Sequence, residues 1–434
     1  MPAAPPPPET REQWHPVRRF FANLGPGLIS GAADDDPSGI STYSVTGAAF
    51  GYAPLWTALF SFPLMIAVQL MCARLGMVTG RGLGGMVRRT YSRKVLWSAC
   101  AILLIANTVN IAADLAGMGA SMEMITHVPS QVWTVLFFVF IVGLLFWSTY
   151  VTIARIFKWL TLVLFAYVAA SLFAHPDWHA VLVSTFVPHI EMSARFFAVL
   201  VGIFGTTISP YLFFWQAAQE VEAERAMGRT TVGKRKGATV EELRDARNDV
   251  VTGMFVSQLV MYFIILTTAA TLHQHGVTSI ATARDAADAL RPLAGNGAYL
   301  LFTLGIVGAG MLGVPVLAGS SAYAIAEAGA WRGTLEDRPQ AAPRFYLVIG
   351  FSMLLALGLD FAGLDPVRSL FWSAVLNGVL APPLIVLVVM LTSNAKVMGE
   401  HVSPPLLKWL GWATALVMAV CAVAMFVTWA MGAA

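Results

Sequence analysis

Charged side chains are scarce in this sequence, and their scarcity argues against a soluble globular protein. Only 12% of the 434 residues are charged, whereas 57% are hydrophobic; soluble domains usually carry about 25% charged residues. The 27 basic and 24 acidic residues leave a net charge of +3, which gives no indication of binding to nucleic acid. With a mean hydropathy of +0.69, the composition predicts an all-α polytopic membrane protein.

Cysteine is rare as well. Cys72, Cys100 and Cys421 are odd in number, far apart and all within apolar segments. This pattern argues against a disulfide framework and against a thiolate metal site. Residues 1–23 are rich in proline and polar side chains, so they predict a disordered tail and no cleavable signal peptide.

Long apolar runs occupy most of the remaining chain. Each of about eleven segments approaches 20 residues, the length that crosses a hydrocarbon core of ~30 Å. We expect membrane-spanning helices near residues 24–49, 52–76, 95–121, 131–150, 155–174, 195–222, 248–272, 297–328, 345–360, 368–391 and 405–430.

Basic residues between these segments predict the orientation. With a cytoplasmic N-terminus, 23 of the 27 Lys and Arg residues fall on the inner side, and only Arg195, Arg284, Arg291 and Arg368 fall on the outer side. The positive-inside rule favours this arrangement. We therefore expect a multi-pass protein of the plasma (inner) membrane, in contact with the lipid bilayer.

Three consecutive carboxylates interrupt the first segment. Asp34, Asp35 and Asp36 lie near its middle and are followed at once by Pro37. Proline disrupts a continuous helix but fits the first position of a new one. The sequence predicts two half-helices, the first ending near Asp36. A polar loop outside the membrane is the alternative, but it would leave about twelve residues, too few to span.

The sixth segment repeats this pattern. Thr206, Thr207, Ser209 and Pro210 interrupt an otherwise apolar run. Broken helices at the first and sixth positions are typical of transporters built from two inverted repeats of five helices, with the substrate near the midplane. We expect a disordered cytoplasmic tail over 1–23 and a transporter core over 24–391. The core divides into repeats 24–174 and 195–391, followed by a loop and an extra helix over 392–434.

The residues of these breaks favour a cation. Half-helix ends expose unpaired carbonyl oxygens, and Asp36 adds a carboxylate. Oxygen ligands suit Mg²⁺, Ca²⁺ or Mn²⁺, and neither break holds a Met, Cys or His for a softer metal. An intramembrane carboxylate marks a candidate functional site. Asp36 is the leading candidate ligand, and one of Asp34 and Asp35 is expected to line the vestibule.

Three motifs resemble those of the Nramp family of divalent metal transporters. The run DPSG at 36–39 matches the family's Asp-Pro-Gly-Asn, and TTISPY at 206–211 matches Ala-x-x-Met-Pro-His. The run DLAG at 114–117 matches Asp-Leu-Ala-Glu. The resemblance covers the first ten segments and implies a LeuT-type fold with a metal site formed by Asp36, Gly39, Thr206 and Ser209, and further by Asp35 and Tyr211.

Departures from these motifs modify the expected activity. Gly39 and Ser209 replace the Asn and Met metal ligands of the family, which predicts a wider site of oxygen ligands and resembles the Nramp-related magnesium transporter branch. Tyr211 and Gly117 replace two groups used in proton coupling, and only Asp114 remains. We expect uptake of Mg²⁺, and also of Mn²⁺, without proton coupling; a proton-coupled Mn²⁺/Fe²⁺ transporter is the alternative.

Two other classes of membrane protein fit this sequence less well. An organic-solute or amino-acid transporter on the same scaffold would need an anion-binding half-helix, whereas the first break is acidic. An intramembrane aspartyl protease would need paired carboxylates, which Asp36 and Asp114 could supply. However, the chain lacks a Gly-x-Gly-Asp motif. We therefore expect no enzymatic activity and no cofactor beyond the transported ion.

Overall fold

The computed structural model describes residues 25–148, 152, 162–363 and 365–432, and within them every regular element is a helix. The predicted disordered tail over 1–23 lies outside the described residues. We number the α-helices in chain order. They are α1 (Pro26–Asp34), α2 (Pro37–Phe50), α3 (Trp56–Thr79), α4 (Leu83–Thr90), α5 (Arg93–Thr126), α6 (Ser130–Trp147), α7 (Ala166–Phe173), α8 (Trp178–Phe186), α9 (Ala194–Thr207), α10 (Pro210–Ala226), α11 (Val232–Arg235), α12 (Val240–Thr271), α13 (Ala283–Ala287), α14 (Arg291–Ala294), α15 (Ala298–Gly329), α16 (Pro343–Asp360), α17 (Pro366–Ser393), α18 (Ala395–Met398) and α19 (Pro405–Ala430).

Nine stretches of the described chain are long and apolar enough to cross a membrane. The first predicted segment is not among them because its halves, α1 and α2, are each short. The fifth is described only from residue 162 onward, where a 3₁₀ turn leads into α7. These two segments account for the difference between nine stretches and the predicted eleven.

One boundary differs clearly from the prediction. The seventh segment was expected to start near residue 248, but α12 starts at Val240. The Thr239 side chain accepts from the Glu242 N–H, and the Glu242 side chain accepts from the Thr239 N–H. This capping box favours a helix start within a polar stretch that hydropathy alone assigns to a loop.

Close helix packing fixes α1 against α12. A Cβ on Gly31 would lie 2.2 Å from the Gly253 carbonyl oxygen, so the two backbones touch and neither position has room for a side chain. Asp249 of α12 also accepts from the N–H groups of Gly25, Gly27 and Leu28, at 2.7–3.1 Å. A carboxylate at a helix N-terminus compensates both the unpaired donors and the helix dipole. The start of α1 is therefore fixed by α12, a helix that is close in space but far away in the sequence.

Candidate metal centre

The two broken helices share one backbone geometry. At the first break, Asp35 has ψ 52° and Asp36 is extended, with Pro37 starting α2. At the second break, Ile208 has ψ 55° and Ser209 is extended, with Pro210 starting α10. We call these residue pairs the first break and the second break. Each matches the predicted position, because proline tolerates the first turn of a helix but not its interior.

Two hydrogen bonds join the broken helices. The Tyr211 hydroxyl, in the first turn of α10, donates to the Ala33 carbonyl at the end of α1 over 2.9 Å. The Thr206 hydroxyl, at the end of α9, lies 3.1 Å from the Tyr43 hydroxyl of α2. Each half of one broken helix thus contacts a half of the other, so the two breaks are neighbours in space.

Asp36 is the one of the three consecutive carboxylates whose two oxygens both accept hydrogen bonds. Its Oδ1 accepts from the Gly39 N–H at 2.8 Å, which caps α2, and its Oδ2 accepts from Asn110 of α5 at 2.9 Å. Only 3% of the residue is exposed. A Cβ on Gly313 of α15 would lie 3.0 Å from the Asp36 Cβ, so α15 also packs closely against this position.

A polar network extends from Asp36 into α5 and α17. The Asn110 amide also donates to Asp114 at 3.1 Å, and the Ser38 N–H donates to the other Asp114 oxygen at 3.2 Å. Asn377 of α17 donates to the Asn110 carbonyl oxygen at 3.0 Å. The Asn377 Oδ1 is buried and has no partner among the described residues. This acceptor is free to receive a ligand.

Asp34 and Asp35 contact a different helix. The Ser257 hydroxyl of α12 lies 2.7 Å from Asp34 Oδ2 and 3.3 Å from Asp35 Oδ1. Asp34 Oδ1 is buried without a hydrogen-bond partner in the described part of the chain. The triplet therefore divides, with Asp36 bonded to α5 and its two neighbours bonded to α12.

No basic side chain compensates these buried carboxylates within the described residues. The ion pairs found there are Arg225–Glu222, Arg229–Glu224, Arg229–Glu242 and Arg291–Asp288, and none includes Asp34, Asp35, Asp36 or Asp114. Burying an unpaired charge costs several kcal/mol, roughly, even after relaxation. Such an excess of acid favours a bound cation or protons.

Side chains of His, Cys, Asp and Glu do not form a metal site by themselves in this part of the molecule. Among the described residues, no three of them converge closely enough to hold an ion. A cation at the breaks therefore needs backbone carbonyl, hydroxyl or amide oxygens besides a carboxylate, and such oxygens suit hard cations. The breaks expose these oxygen types.

A comparison with protein families identifies the chain. The family model described as "Natural resistance-associated macrophage protein-like", Nramp, matches residues 27–428. The chain belongs to the Nramp family. The resemblance drawn from three short motifs is thus confirmed over nearly the whole sequence.

Curated Nramp relatives are similar along almost their full length. The divalent metal cation transporter MntH of Caldanaerobacter subterraneus subsp. tengcongensis is 25% identical over 400 residues, covering 91% of this chain and 90% of the relative. MntH of Yersinia pestis is 27% identical over 422 residues, covering 93% and 94%.

Solved structures show the same fold. The manganese transporter of Eremococcus coleocola aligns with a TM-score of 0.72 at 19% identity, over 95% of this chain and 87% of the other. MhsT in complex with L-phenylalanine aligns with a TM-score of 0.57 at 13% identity, over 93% and 98%. The predicted LeuT-type architecture is confirmed, with the first membrane segment divided into α1 and α2 and the sixth into α9 and α10.

The predicted site residues of this Nramp protein lie at or next to the two breaks. The single hydrogen of the Ser209 hydroxyl can reach the Gly205 and the Thr206 carbonyl and donates to one of them, so the hydroxyl lone pairs remain available as acceptors. A Cβ on Gly39 would be 3.3 Å from the Asp34 carbonyl oxygen and 3.5 Å from Asp36 Oδ1. Gly39 therefore borders the carboxylate, whereas the Tyr211 hydroxyl is engaged with Ala33.

Part of this network is not predicted by the sequence motifs. Asn110, Ser38 and Asn377 were not among the predicted site residues, although all three belong to the network around Asp36 and Asp114. A signal for Asn110 was present: Asn107, Asn110 and Asp114 have spacings of three and four residues, which place them on one face of α5 within a mostly apolar stretch. Ser38 had no comparable signal, because it contacts α5 through its backbone as well as its side chain.

Proposed function

We propose that this Nramp protein takes up divalent metal cations through a site at the first and second breaks. The observation that carries the proposal is a buried group of four carboxylates that have no basic partner among the described residues. Three of them lie at or next to the first break, and Asp114 of α5 accepts from the Ser38 N–H beside it. The curated relatives named above are divalent metal cation transporters, and the solved neighbour is a manganese transporter.

Asp36 is the proposed direct carboxylate ligand. The carbonyl of Thr206 and the hydroxyl oxygen of Ser209 are proposed to approach the ion from the second break. Gly39 places no side chain beside Asp36, and Asp35 adds negative charge from the α12 side. For Tyr211, the bond to the Ala33 carbonyl favours positioning of that carbonyl over direct ligation.

Mg²⁺ is the proposed preferred ion, with Mn²⁺ as a second substrate. Gly39 and Ser209 are smaller than the Asn and Met of the family motifs, and no sulfur or nitrogen ligand is present in either break. Mg²⁺ dehydrates reluctantly and accepts oxygen ligands, so a site that allows it to keep several waters suits it. A thioether would instead favour softer metals.

Transport without proton coupling is supported by the surroundings of Gly117. A Cβ there would be 2.8 Å from Leu370 Cδ1. The adjacent cavity, of about 20 Å³, is lined mainly by apolar residues. A Glu at this position would require the Leu370 side chain to move, and its carboxylate would enter a mainly apolar cavity. With Tyr211 also standing where the family has His, Asp114 is the remaining candidate proton carrier.

The proposed function also includes a membrane location, an orientation and a division of the chain into repeats. We propose that the chain resides in the plasma (inner) membrane with its N-terminus in the cytoplasm, that residues 24–174 and 195–391 form the two repeats of the core, and that 392–434 is an addition to it. The concentration of basic residues in alternate loops supports this orientation.

Uptake into proteoliposomes tests the proposal. Vesicles containing the purified chain and both an ion-sensitive and a pH-sensitive dye should report entry of Mg²⁺ and Mn²⁺ without internal acidification. Competing L-phenylalanine should have no effect. Acidification coupled to Mn²⁺ entry, without Mg²⁺ entry, would establish the proton-coupled alternative. Absence of any metal flux in well-folded protein would overturn the proposal.

A further inference from the structure

A large groove lies behind the candidate metal centre. It has a volume of about 670 Å³ and is formed by α5, α16, α17 and α19. Its floor consists of small residues of α5, and large side chains of α17 and α19 form its walls. Trp372 and Trp429 stack at its mouth, with ring centroids 6.0 Å apart and planes inclined by 21°. Both tryptophans are exposed, at 45% and 60%.

The length of the groove matches one leaflet of a bilayer. Along α17 its lining extends from Arg368 to Val379, about 16 Å at ~1.5 Å per residue. This is about half of a hydrocarbon core of ~30 Å. A groove that runs along membrane-spanning helices and is lined mainly by apolar side chains over this length fits a single acyl chain.

The polar end of the groove carries charges of both signs. Asp360 ends α16, Asp365 precedes α17, and Arg368 lies in the first turn of α17. One Asp365 oxygen accepts from the Arg368 N–H at 2.9 Å. The Arg368 guanidinium is exposed and forms no ion pair with the described residues. One cation and two carboxylates at the end of an acyl-sized groove complement a zwitterionic head group.

We propose that this groove binds one phospholipid whose head group carries a primary amine, namely phosphatidylethanolamine. The phosphate pairs with Arg368, the ammonium group with Asp360 and Asp365, and one acyl chain lies between Trp372 and the α5 floor. Arginine suits phosphate recognition, and the ammonium supplies donors to both carboxylates. An anionic lipid without an amine, such as phosphatidylglycerol, would leave those carboxylates uncompensated.

This site gives α19 a role beyond packing. Met425, Phe426 and Trp429 supply one wall, so the groove would be open on that side without α19. The floor and wall also include Ala113 and Leu376, which directly precede Asp114 and Asn377 of the polar network. An acyl chain there packs against the reverse side of two helices that contact the candidate metal centre.

Photocrosslinking of the purified full chain tests the site. Phosphatidylethanolamine carrying a diazirine on its acyl chain is incorporated into detergent micelles, and labelled peptides are mapped by mass spectrometry. Ala112→Phe should fill the groove, with Ala101→Phe as the matched control because Ala101 is exposed on the same helix. Arg368→Gln removes the phosphate contact, with Arg291→Gln as its control.

In wild type we expect label on α5, α17 and α19, and stronger competition by unlabelled phosphatidylethanolamine than by phosphatidylglycerol. Ala112→Phe should lose most of the label, and Arg368→Gln should weaken binding; both controls should label as wild type does. Labelling outside these three helices and the end of α16 that lines the groove would overturn the site even if Ala112→Phe failed to fold. Equal competition by the two lipids would overturn the head-group assignment.

Discussion

The two breaks have nearly the same backbone but opposite chemical character. In each, a helix ends at a residue with ψ near 50°, one extended residue follows, and a proline starts the next helix. The first break contains carboxylates, whereas the second contains only hydroxyl and apolar side chains. The break geometry and the charge are therefore separate features: proline sets the first, and the side chains before it set the second.

Substitution of the equivalent residue at each break should have the largest effect. Asp36→Asn should lower metal uptake by about 100-fold or more, since loss of partners around a metal site alone costs ~10–100-fold. Asn also caps helices well, so α2 should keep its start. Ser209→Ala, at the same position of the second break, should lower uptake by less than about tenfold.

Both variants are compared in proteoliposomes at matched protein density, with monodispersity in detergent as the folding control. Uptake near the wild-type rate in Asp36→Asn would show that this carboxylate does not contact the ion. A larger loss in Ser209→Ala than in Asp36→Asn would reverse the assignment of charge and hydroxyl roles between the breaks.

The break positions follow from the sequence, but the directions of the side chains do not. Pro37 and Pro210 locate both interruptions because their effect on the helix is local. That Asp36 bonds to Asn110 while Asp34 and Asp35 bond to Ser257 depends on residues about 75 and 220 positions away. Such pairings are a property of the packed bundle, and no local pattern near residue 36 predicts them.

A second prediction concerns a double variant that restores the Asn and Met of the family motifs. Gly39→Asn with Ser209→Met should narrow the site and add a sulfur ligand. A Cβ on Gly39 would already lie 3.3 Å from the Asp34 carbonyl oxygen and 3.5 Å from Asp36 Oδ1, so an Asn side chain there must displace its neighbours at the site. Mg²⁺ uptake should fall by about tenfold and Cd²⁺ should bind more tightly, because Mg²⁺ avoids sulfur and dehydrates reluctantly.

Gly39→Asn with Ser209→Leu is the matched control, since Leu adds similar bulk without sulfur. It should weaken Mg²⁺ uptake without improving Cd²⁺ binding, as measured by calorimetry and by competition in liposomes. If both double variants kept the ion preference of the wild type, residues 39 and 209 would not line the site.

A third prediction concerns the division of the acidic triplet. Asp35→Asn removes a charge that bonds to α12 rather than α5, so it should act on the ion only at a distance. We expect the apparent KM for the metal to rise by about tenfold, corresponding to ~1.4 kcal/mol, with little change in maximal rate. Ser257→Ala, which keeps the charge, should change the KM less; an equal effect would indicate that the hydrogen bond, not the charge, matters.

The smallest expected effect concerns the two bonds that join the breaks. Tyr211→Phe leaves the buried Ala33 carbonyl without its donor, which costs about 1–3 kcal/mol. Tyr43→Phe removes one partner of the Thr206 hydroxyl, which keeps its bond to the Ile203 carbonyl, so the cost should be only ~0.5–1.5 kcal/mol. Without metal, Tyr211→Phe should therefore have the lower melting temperature of the two. With metal, the difference between the two melting temperatures should become smaller, because the freed Ala33 carbonyl at the end of α1 becomes available to the ion. A melting temperature of Tyr211→Phe that metal raises no more than that of wild type would show that this carbonyl does not face the ion, and that the breaks are joined at Tyr211 for packing alone.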